Sequence, residues 1–286
     1  MVDYWRYELR PKRRLSAIAD AGPRRGALIR VNGGCADVHP WPELGDLPLD
    51  EQLALLARGE TTPLTQASLE FAGIDAAARR DGRSLFKGLT IPRSHWPGPD
   101  PPPGFDTVKL KGVDVIPDRV RLRIDFNATL TPEEFVEIAA TLPRERIDFI
   151  EDPCTYDAST WRDLRERTGL RLALDRAANS GQHRRSSLCS DSYDVLILKP
   201  AVEEITCTDA ETVVTSYMDH PIGQLCAAYA AATANITSTC GLITHVLYEN
   251  DAFIERMRIE STRLVPPGGT GWGFDDLLEK LPWRTL

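Results

Sequence analysis

Short apolar runs that end in an ionisable residue recur at even spacing along the middle of this chain. Each run is rich in Val, Ile, Leu and Phe, as expected for strands buried on both faces of a parallel sheet. From Asp125 onward the terminal charges stand 24 to 26 residues apart, the length that a strand, a crossover helix and two loops need. The runs are TVKLK ending at Lys111, VRLRID ending at Asp125, IDFIE ending at Glu151, RLALD ending at Asp175 and DVLILK ending at Lys199.

This spacing predicts an α/β fold, a modified TIM (β/α)-barrel. A charge at the carboxyl end of a buried strand is out of place in a core, whereas in β/α barrels that rim carries the catalytic groups. The step from Lys111 to Asp125 is shorter, and its connection contains Pro117, so it has no room for a crossover helix. We therefore predict a barrel with one crossover helix missing.

The first part of the chain differs in character from this repeat. Residues 1–85 contain two predicted strands and two predicted helices, which is typical of a small α+β domain. We expect this domain, residues 1–85, to precede a barrel over residues 86–260, and a segment over residues 261–286 to return to it. The predicted elements are strands at Tyr4–Leu9 and Ala27–Val31 and helices at Leu49–Arg58 and Thr65–Arg80, the second opening with Thr65.

Helix-end signals locate the remaining elements of the barrel. Thr131 is a predicted N-cap, followed by Pro at the first helical position and Glu134 at the third. Gly169 ends the next helix as a C-cap does, and the Pro-rich stretch 97–104 is predicted to be a loop. The other predictions are a helix at Ala158–Arg167, a seventh strand at Thr212–Ser216, a helix at Ile222–Ala234 and an eighth strand near Ile236–Ser238.

Composition excludes several classes of partner. A net charge of −8 gives no electrostatic support for binding nucleic acid or an anionic membrane. The N-terminus has no apolar signal-peptide core, and no stretch is long enough to span a membrane. The six cysteines form no CxxC pair, so reduced thiols in a cytoplasmic protein are expected. We expect a small-molecule carboxylate as partner; the oligomeric state is left open.

Three of the strand ends carry carboxylates that would project toward one point. Asp125, Glu151 and Asp175 supply hard oxygen ligands, which Mg²⁺ prefers and for which Mn²⁺ can substitute. Each carboxylate alone is more simply explained as a strand end paired with a surface arginine. All three in register, with lysines on either side, favour a metal site because uncompensated carboxylates would repel one another.

The two lysines at strand ends would face each other across the barrel mouth. A cation and the neighbouring Lys109 disfavour the charged form of Lys111, which could then remove a proton α to a carboxylate. The metal and Lys199 would stabilise the resulting enediolate. Without the carboxylates, the Lys109–Lys111 pair would be interpreted as a solvated strand edge.

These motifs, taken in order, resemble a known signature. Lys109-Leu-Lys111, Asp125-Phe-Asn127, Glu151-Asp-Pro153, Asp175 and Lys199-Pro200 look like that of the enolase superfamily, in its muconate-lactonizing subgroup. The resemblance covers the barrel, and the N-terminal unit matches the capping domain of that superfamily in position. The stretches over residues 215–224 and 239–245 are similar to the o-succinylbenzoate synthase branch.

The resemblance implies a function and a set of roles. Asp125, Glu151 and Asp175 would bind Mg²⁺, Lys111 would act as base and then acid, and Lys199 would contact the intermediate as a cation–π partner. The implied reaction is loss of water from 2-succinyl-6-hydroxy-2,4-cyclohexadiene-1-carboxylate in menaquinone biosynthesis. Candidates for support of the metal site or for substrate contact are Lys109, Asn127, Arg123 and Ser216.

The sequence departs from the family pattern in places that affect the substrate pocket more than the metal. Arg176 follows the third carboxylate where the family often has an acidic residue. Residues 201–204 replace a Gly-containing turn after the Lys199-Pro200 pair. The capping region and the second crossover are also short.

Other activities remain open at this point. N-acylamino acid or dipeptide racemisation and muconate cycloisomerisation use the same metal and lysines. A Schiff-base aldolase would use Lys111 or Lys199 as nucleophile. A metal-binding barrel without catalysis is a remote alternative, against which the retention of both lysines argues.

Overall fold

The computed structural model describes residues 1–15, 22–175, 191–206 and 209–286. Its N-terminal part is an antiparallel sheet covered by two helices. The elements are β1 (Val2–Leu9), β2 (Arg24–Val31), β3 (Gly34–Val38), α1 (Leu49–Ala57) and α2 (Pro63–Arg80). Strand β1 pairs with β2, which pairs with β3, and helix α2 packs on β3.

In this part the sequence-based prediction missed one strand and placed the start of one helix too late. Strand β3 was not predicted, because all five of its residues are buried and its Gly, Cys and Asp give no alternation of polar and apolar residues. Helix α2 opens earlier than predicted, with Thr62 as N-cap and Pro63 at the first position. Thr65 is instead the third helical residue, and its hydroxyl accepts a hydrogen bond from the Thr62 N–H at 2.8 Å.

The second sheet contains the predicted charged strands. Its seven strands are parallel and neighbours follow chain order, so each crossover returns beside the strand that it left. Together with the N-terminal domain this confirms the predicted fold class. The strands are β4 (Trp96–Pro97), β5 (Thr107–Lys111), β6 (Arg121–Asp125), β7 (Ile147–Glu151), β8 (Leu172–Asp175), β9 (Val195–Leu198) and β10 (Glu211–Val214).

Alternate residues of these strands face two different surroundings. One set packs against the outer helices α3 (Pro132–Ala139) and α4 (Ala158–Thr168), and Val214 of β10 packs in the same core as α5 (Pro221–Thr233). The other set faces the barrel interior, where a separate apolar cluster fills the lower layers. The inward members of that cluster are Phe149, Ala173, Val195, Ile197 and Val213.

The predicted caps and the missing crossover helix are confirmed. The Thr131 hydroxyl accepts a hydrogen bond from the Glu134 N–H at 3.2 Å, and the Glu134 carboxylate accepts one from the Thr131 N–H at 2.8 Å. Gly169 ends α4 in the left-handed conformation, with φ 64°. The connection from β5 to β6, all of it described, contains no helix.

The predicted eighth strand is wrong. Ile236–Ser238 forms no strand; the barrel closes a few residues later through isolated bridges from Gly241 to Thr215 and from Cys240 to Ser94. Two residues suffice because their backbone groups bond to both neighbours, including Gly241 N–H to the Val214 carbonyl at 2.9 Å. So short a segment carries no apolar run for sequence reasoning to detect.

The C-terminal part of the chain contacts the N-terminal domain. Its elements are β11 (Arg258–Glu260), β12 (Arg263–Val265), α6 (Asp275–Leu278) and β13 (Arg284–Thr285). Strand β13 pairs with β1, and Trp272 donates hydrogen bonds to Asp75 at 2.8 Å and to the Cys35 carbonyl at 2.8 Å. None of the helices described is both long and apolar enough to cross a membrane.

Candidate active site

Strand register brings the predicted charges to one end of the barrel. Lys111 lies opposite Asp125, and Asp125 lies opposite Glu151. Asp175 stands two residues beyond Ala173, the partner of Glu151, so it shares the inward face. Lys199 stands two residues beyond Ile197, the partner of Asp175. All five side chains therefore project into the barrel mouth.

Alternating charges hold this mouth cluster together. Lys109 Nζ lies 2.5 Å from Glu151 Oε1 and 3.0 Å from Asp125 Oδ2. Lys111 Nζ lies 2.6 Å from the same Asp125 oxygen, and Lys199 pairs with Asp175. We use the name mouth cluster for these six residues: Lys109, Lys111, Asp125, Glu151, Asp175 and Lys199.

The carboxylates have very different proton affinities. Burial raises the pKa of Glu151 to about 7, and the charge of Asp125 adds to the rise although Lys109 opposes it. Burial acts in the same direction on Asp125, but Lys109 and Lys111 outweigh it and hold the pKa of Asp125 far below its usual range. Three carboxylates thus lie close enough to repel one another and are compensated by lysine.

Two of the lysines are held in the charged form. Burial opposes the charge of Lys109, yet Asp125 and Glu151 raise its pKa above the ordinary value. Burial likewise opposes the charge of Lys199, whose pKa is raised by its pairing with Asp175. Lys199 Nζ also lies 5.6 Å from the centre of the Tyr217 ring. By contrast, the side chain of Lys111 is 32% exposed and faces the cavity.

The donor set fits a hard divalent cation, although the side chains are not arranged as a finished metal site. Among the described residues, no three His, Cys, Asp or Glu side chains are positioned to hold a metal ion, because Lys109 lies between Asp125 and Glu151. Buried carboxylates on adjacent strands are nevertheless the ligands that Mg²⁺ takes. A cation would relieve the repulsion that the lysines now compensate.

A cavity of about 270 Å³ lies over the mouth cluster. This is near the lower end of the range for small-molecule sites. Both parts of the protein line it: the barrel supplies the charged floor, and the N-terminal domain supplies apolar walls from Leu15, Trp41 and Leu44. The two parts are joined beside the cavity, where Trp41 Nε1 donates to the Tyr217 carbonyl at 2.7 Å and Tyr217 donates to Asp46 at 3.1 Å.

Two of the predicted supporting residues, Asn127 and Ser216, line the cavity, and Arg123 lies below it. Asn127 lines the cavity, and its backbone N–H donates to Asp125 Oδ1 at 2.8 Å. Ser216 also lines the cavity and exchanges a 2.6 Å hydrogen bond with Thr244. Arg123 shares the inward face with Asp125 but is buried below the cavity, bonded to Asp148 at 2.8 Å and to the Thr239 carbonyl at 2.6 Å. Arg176 lies outside the described residues.

Sequence reasoning missed His95, which lines the cavity floor. Its Nδ1 lies 3.1 Å from Arg123 Nη1. Because arginine only donates, Nδ1 accepts and the neutral ring carries its proton on Nε2. Burial, followed by the charges of Arg123 and Lys109, lowers the pKa of His95 well below its usual value. His95 is therefore a fixed hydrogen-bond donor. Sequence reasoning missed it because the strand that follows it, Trp96–Pro97, has only two residues and no apolar run.

Comparison with known proteins gives consistent matches. Residues 2–78 match the family model described as o-succinylbenzoate synthase, N-terminal domain, and residues 102–204 match the enolase C-terminal domain-like model. An o-succinylbenzoate synthase from Bdellovibrio bacteriovorus is 32% identical, over 100% of this chain and 98% of the relative.

Solved structures support the fold. The L-Ala-D/L-Glu epimerase from Bacillus subtilis aligns with a TM-score of 0.72 and 14% identity, over 96% of this chain and 97% of that one. A dipeptide epimerase from Enterococcus faecalis V583, complexed with Mg and the dipeptide L-Leu-L-Tyr, aligns with a TM-score of 0.72 and 14% identity, over 94% and 97%. At this identity the likeness extends to architecture alone.

Proposed function

The chain belongs to the o-succinylbenzoate synthase family of the enolase superfamily, and we propose that it dehydrates 2-succinyl-6-hydroxy-2,4-cyclohexadiene-1-carboxylate to o-succinylbenzoate. The observation that carries this proposal is the mouth cluster, in which three carboxylates on adjacent strands stand between two lysines that line one cavity. The reaction would supply menaquinone biosynthesis.

The metal site is part of the proposal. Asp125, Glu151 and Asp175 would hold Mg²⁺, which when bound supplies positive charge to the substrate carboxylate and so acidifies the adjacent carbon. Asn127 supports the site because its backbone N–H fixes one oxygen of Asp125. Lys109, paired with both Asp125 and Glu151, would position these carboxylates.

Lys111 is the proposed acid and base. Its amine faces the cavity and, once its proton is lost, would take the proton from C1, next to the ring carboxylate. The C1–H electron pair then forms the new ring double bond as the C6–O bond breaks. Lys111 returns the same proton to the departing hydroxyl, so one water leaves and the ring becomes aromatic.

Lys199 and the apolar walls have complementary roles. Lys199, held in the ammonium form by Asp175, places a fixed positive charge where negative charge develops as the proton leaves. Trp41, Leu44 and Leu15 exclude water from the ring. Their position requires the N-terminal domain to be part of the site.

The direct test follows aromatisation of the cyclohexadiene carboxylate by ultraviolet absorbance with the purified protein and Mg²⁺. We expect turnover of the synthase substrate. Failure to form the aromatic product, with folded protein and Mg²⁺ present, would refute the proposal.

Epimerisation is the second candidate, and the placement of a lysine on each side of the cavity favours it. Two-base epimerisation needs proton transfer at both Lys111 and Lys199, whereas dehydration needs only positive charge at the second position. Lys199→Arg should therefore abolish epimerisation of an N-acylamino acid or dipeptide and leave measurable dehydration. Equal loss of both activities would contradict this division of roles.

A further inference from the structure

Arg13 lies at the wall of the cavity contributed by the N-terminal domain. We propose that its guanidinium binds the distal carboxylate of the succinyl chain and thereby selects a dicarboxylate substrate. The inference rests on the proposed function, because it assigns the second anionic group of that substrate. The first carboxylate belongs to the metal end of the cavity.

Backbone hydrogen bonds fix the segment that carries Arg13 on the barrel. Lys12 N–H donates to the Leu247 carbonyl at 2.8 Å, and Glu249 N–H donates to the Arg10 carbonyl at 2.8 Å. Pro11 forms an antiparallel bridge with Tyr248, and on the other side Leu15 is buried in the core. Arg13 is thus held at both flanks, so its position over the cavity is built into the fold.

The guanidinium itself is oriented by the end of strand β4. Arg13 Nη2 donates to the carbonyl of Pro97, which also lines the cavity. A side chain at position 98 would collide with it, since a Cβ on Gly98 would lie 2.0 Å from Nη2. Arginine has five N–H donors, so a carbonyl bond from one of them leaves a fork for a carboxylate.

Charge balance in the cavity points to the same residue. Among the described residues, five cationic side chains and the carboxylates of Asp114, Asp125 and Asp175 line it, and three of the cations are the lysines of the mouth cluster, each paired with a carboxylate. Arg13 forms no ion pair with any residue in the described part of the chain. A dianionic substrate brings one carboxylate more than the metal end takes, and Arg13 offers the matching charge next to the apolar wall.

The experiment compares two ligands that differ only at the distal group. Binding of o-succinylbenzoate and of 2-butyrylbenzoate, in which a methyl group replaces the distal carboxylate, is measured by titration calorimetry with Mg²⁺ present. Arg13→Ala should weaken o-succinylbenzoate about tenfold or more, the scale of a hydrogen bond to a charged group. Its affinity for 2-butyrylbenzoate should stay unchanged, and Arg13→Lys should give an intermediate loss for the dicarboxylate only.

Arg10→Ala is the matched control, because Arg10 belongs to the same segment but pairs with Glu8 and does not line the cavity. It should leave both affinities unchanged. Equal weakening of both ligands by Arg13→Ala, no weakening at all, or a selective loss produced by Arg14→Ala instead would overturn the assignment. Wild-type protein that binds o-succinylbenzoate but does not turn over would refute the proposed function and leave this test intact.

Discussion

Two buried polar clusters in the described part of the chain differ in how their charges are compensated. In the mouth cluster, three lysines compensate three carboxylates directly, through contacts such as Lys111 to Asp125 at 2.6 Å. The second, which we call the interdomain cluster, consists of Tyr7, Asp37, His39, Asp219 and His220. There Tyr7 donates to Asp37 at 2.6 Å and the His220 N–H donates to Asp37 at 3.0 Å, and neither aspartate pairs with a lysine or arginine of the described residues.

In the interdomain cluster, burial shifts the pKa values toward the uncharged forms of the side chains. Burial, together with the charge of Asp219, raises the pKa of Asp37 well above its usual value, and burial lowers the pKa of His39 to about 3. Burial therefore favours the uncharged form of both groups. Buried full charges cost stability unless their partners compensate them. The mouth cluster keeps full charges beside a cavity, whereas burial favours the uncharged forms of Asp37, His39 and Asp219 in the interdomain cluster that joins the two parts.

The largest expected effect is a loss of turnover when Lys111 of the mouth cluster is replaced. Lys111→Ala removes the acid and base, and we expect turnover to fall by about 10²–10⁴-fold, the usual contribution of such a group. The protein should stay folded because Lys109 still pairs with Asp125 at 3.0 Å, so the circular dichroism spectrum should match wild type, while loss of the Lys111 contact should lower the unfolding midpoint. Turnover at the wild-type rate would remove Lys111 as the base and weaken the contrast between the clusters.

A steric change at the interdomain cluster should lower stability and leave turnover unchanged, whereas the change at the mouth cluster removes turnover. A Cβ on Gly223 would lie 2.6 Å from Asp219 Oδ2 and 2.7 Å from Asp37 Oδ2. Gly223→Ala should lower the free energy of unfolding by about 1–3 kcal/mol, measured by urea denaturation, with turnover per folded molecule retained.

Gly73→Ala is the matched control for this change. Gly73 lies in helix α2, where an added Cβ would have open space within 4 Å, so the substitution should raise stability by up to about 1 kcal/mol. If Gly223→Ala and Gly73→Ala change the free energy of unfolding equally, the interdomain cluster accommodates the added methyl group and the prediction is wrong.

The last contrast concerns the pH dependence of stability, which His39 of the interdomain cluster controls. Burial, with a further contribution from Arg24, lowers the pKa of His39 from 6.5 to about 3. Between these values the unfolded chain binds a proton at His39 that the folded chain does not. The free energy of unfolding therefore falls by about 1.4 kcal/mol per pH unit of acidification.

His39→Gln cannot take up that proton. The excess stability of wild type over this variant should be greatest above pH 6.5 and should shrink between pH 6.5 and 5, when urea midpoints are compared at each pH. Turnover at about pH 8 should be unchanged because His39 lies outside the mouth cluster. A stability difference that is constant with pH would contradict the buried neutral state of His39.

Strands and charges that follow from local pattern were predictable. The runs ending at Lys111 and Glu151 match β5 and β7 residue for residue, because buried apolar residues recur along each run and a charged residue marks its end at the rim. Thr131 was recognised as a cap from its neighbours alone. The same Thr-Pro signal at Thr62 and Pro63 marks the start of α2 and could have corrected that boundary.

Features that depend on distant parts of the chain were not predictable. The barrel closes at Cys240 and Gly241 through backbone bonds to strands far away in sequence, without any apolar run of its own. His95 acquires its role from Arg123, and Arg13 reaches the cavity because residues 10–12 bond to residues 247–249. Long-range pairing of this kind leaves no period or cap in the sequence.

The most direct test of the central claim is the metal dependence of dehydration. Protein treated with EDTA is assayed for aromatisation of 2-succinyl-6-hydroxy-2,4-cyclohexadiene-1-carboxylate and then titrated with Mg²⁺ or Mn²⁺. The account predicts loss of turnover in chelator and recovery with either ion, because Asp125, Glu151 and Asp175 would then hold a cation. Dehydration at an undiminished rate in excess chelator would contradict it.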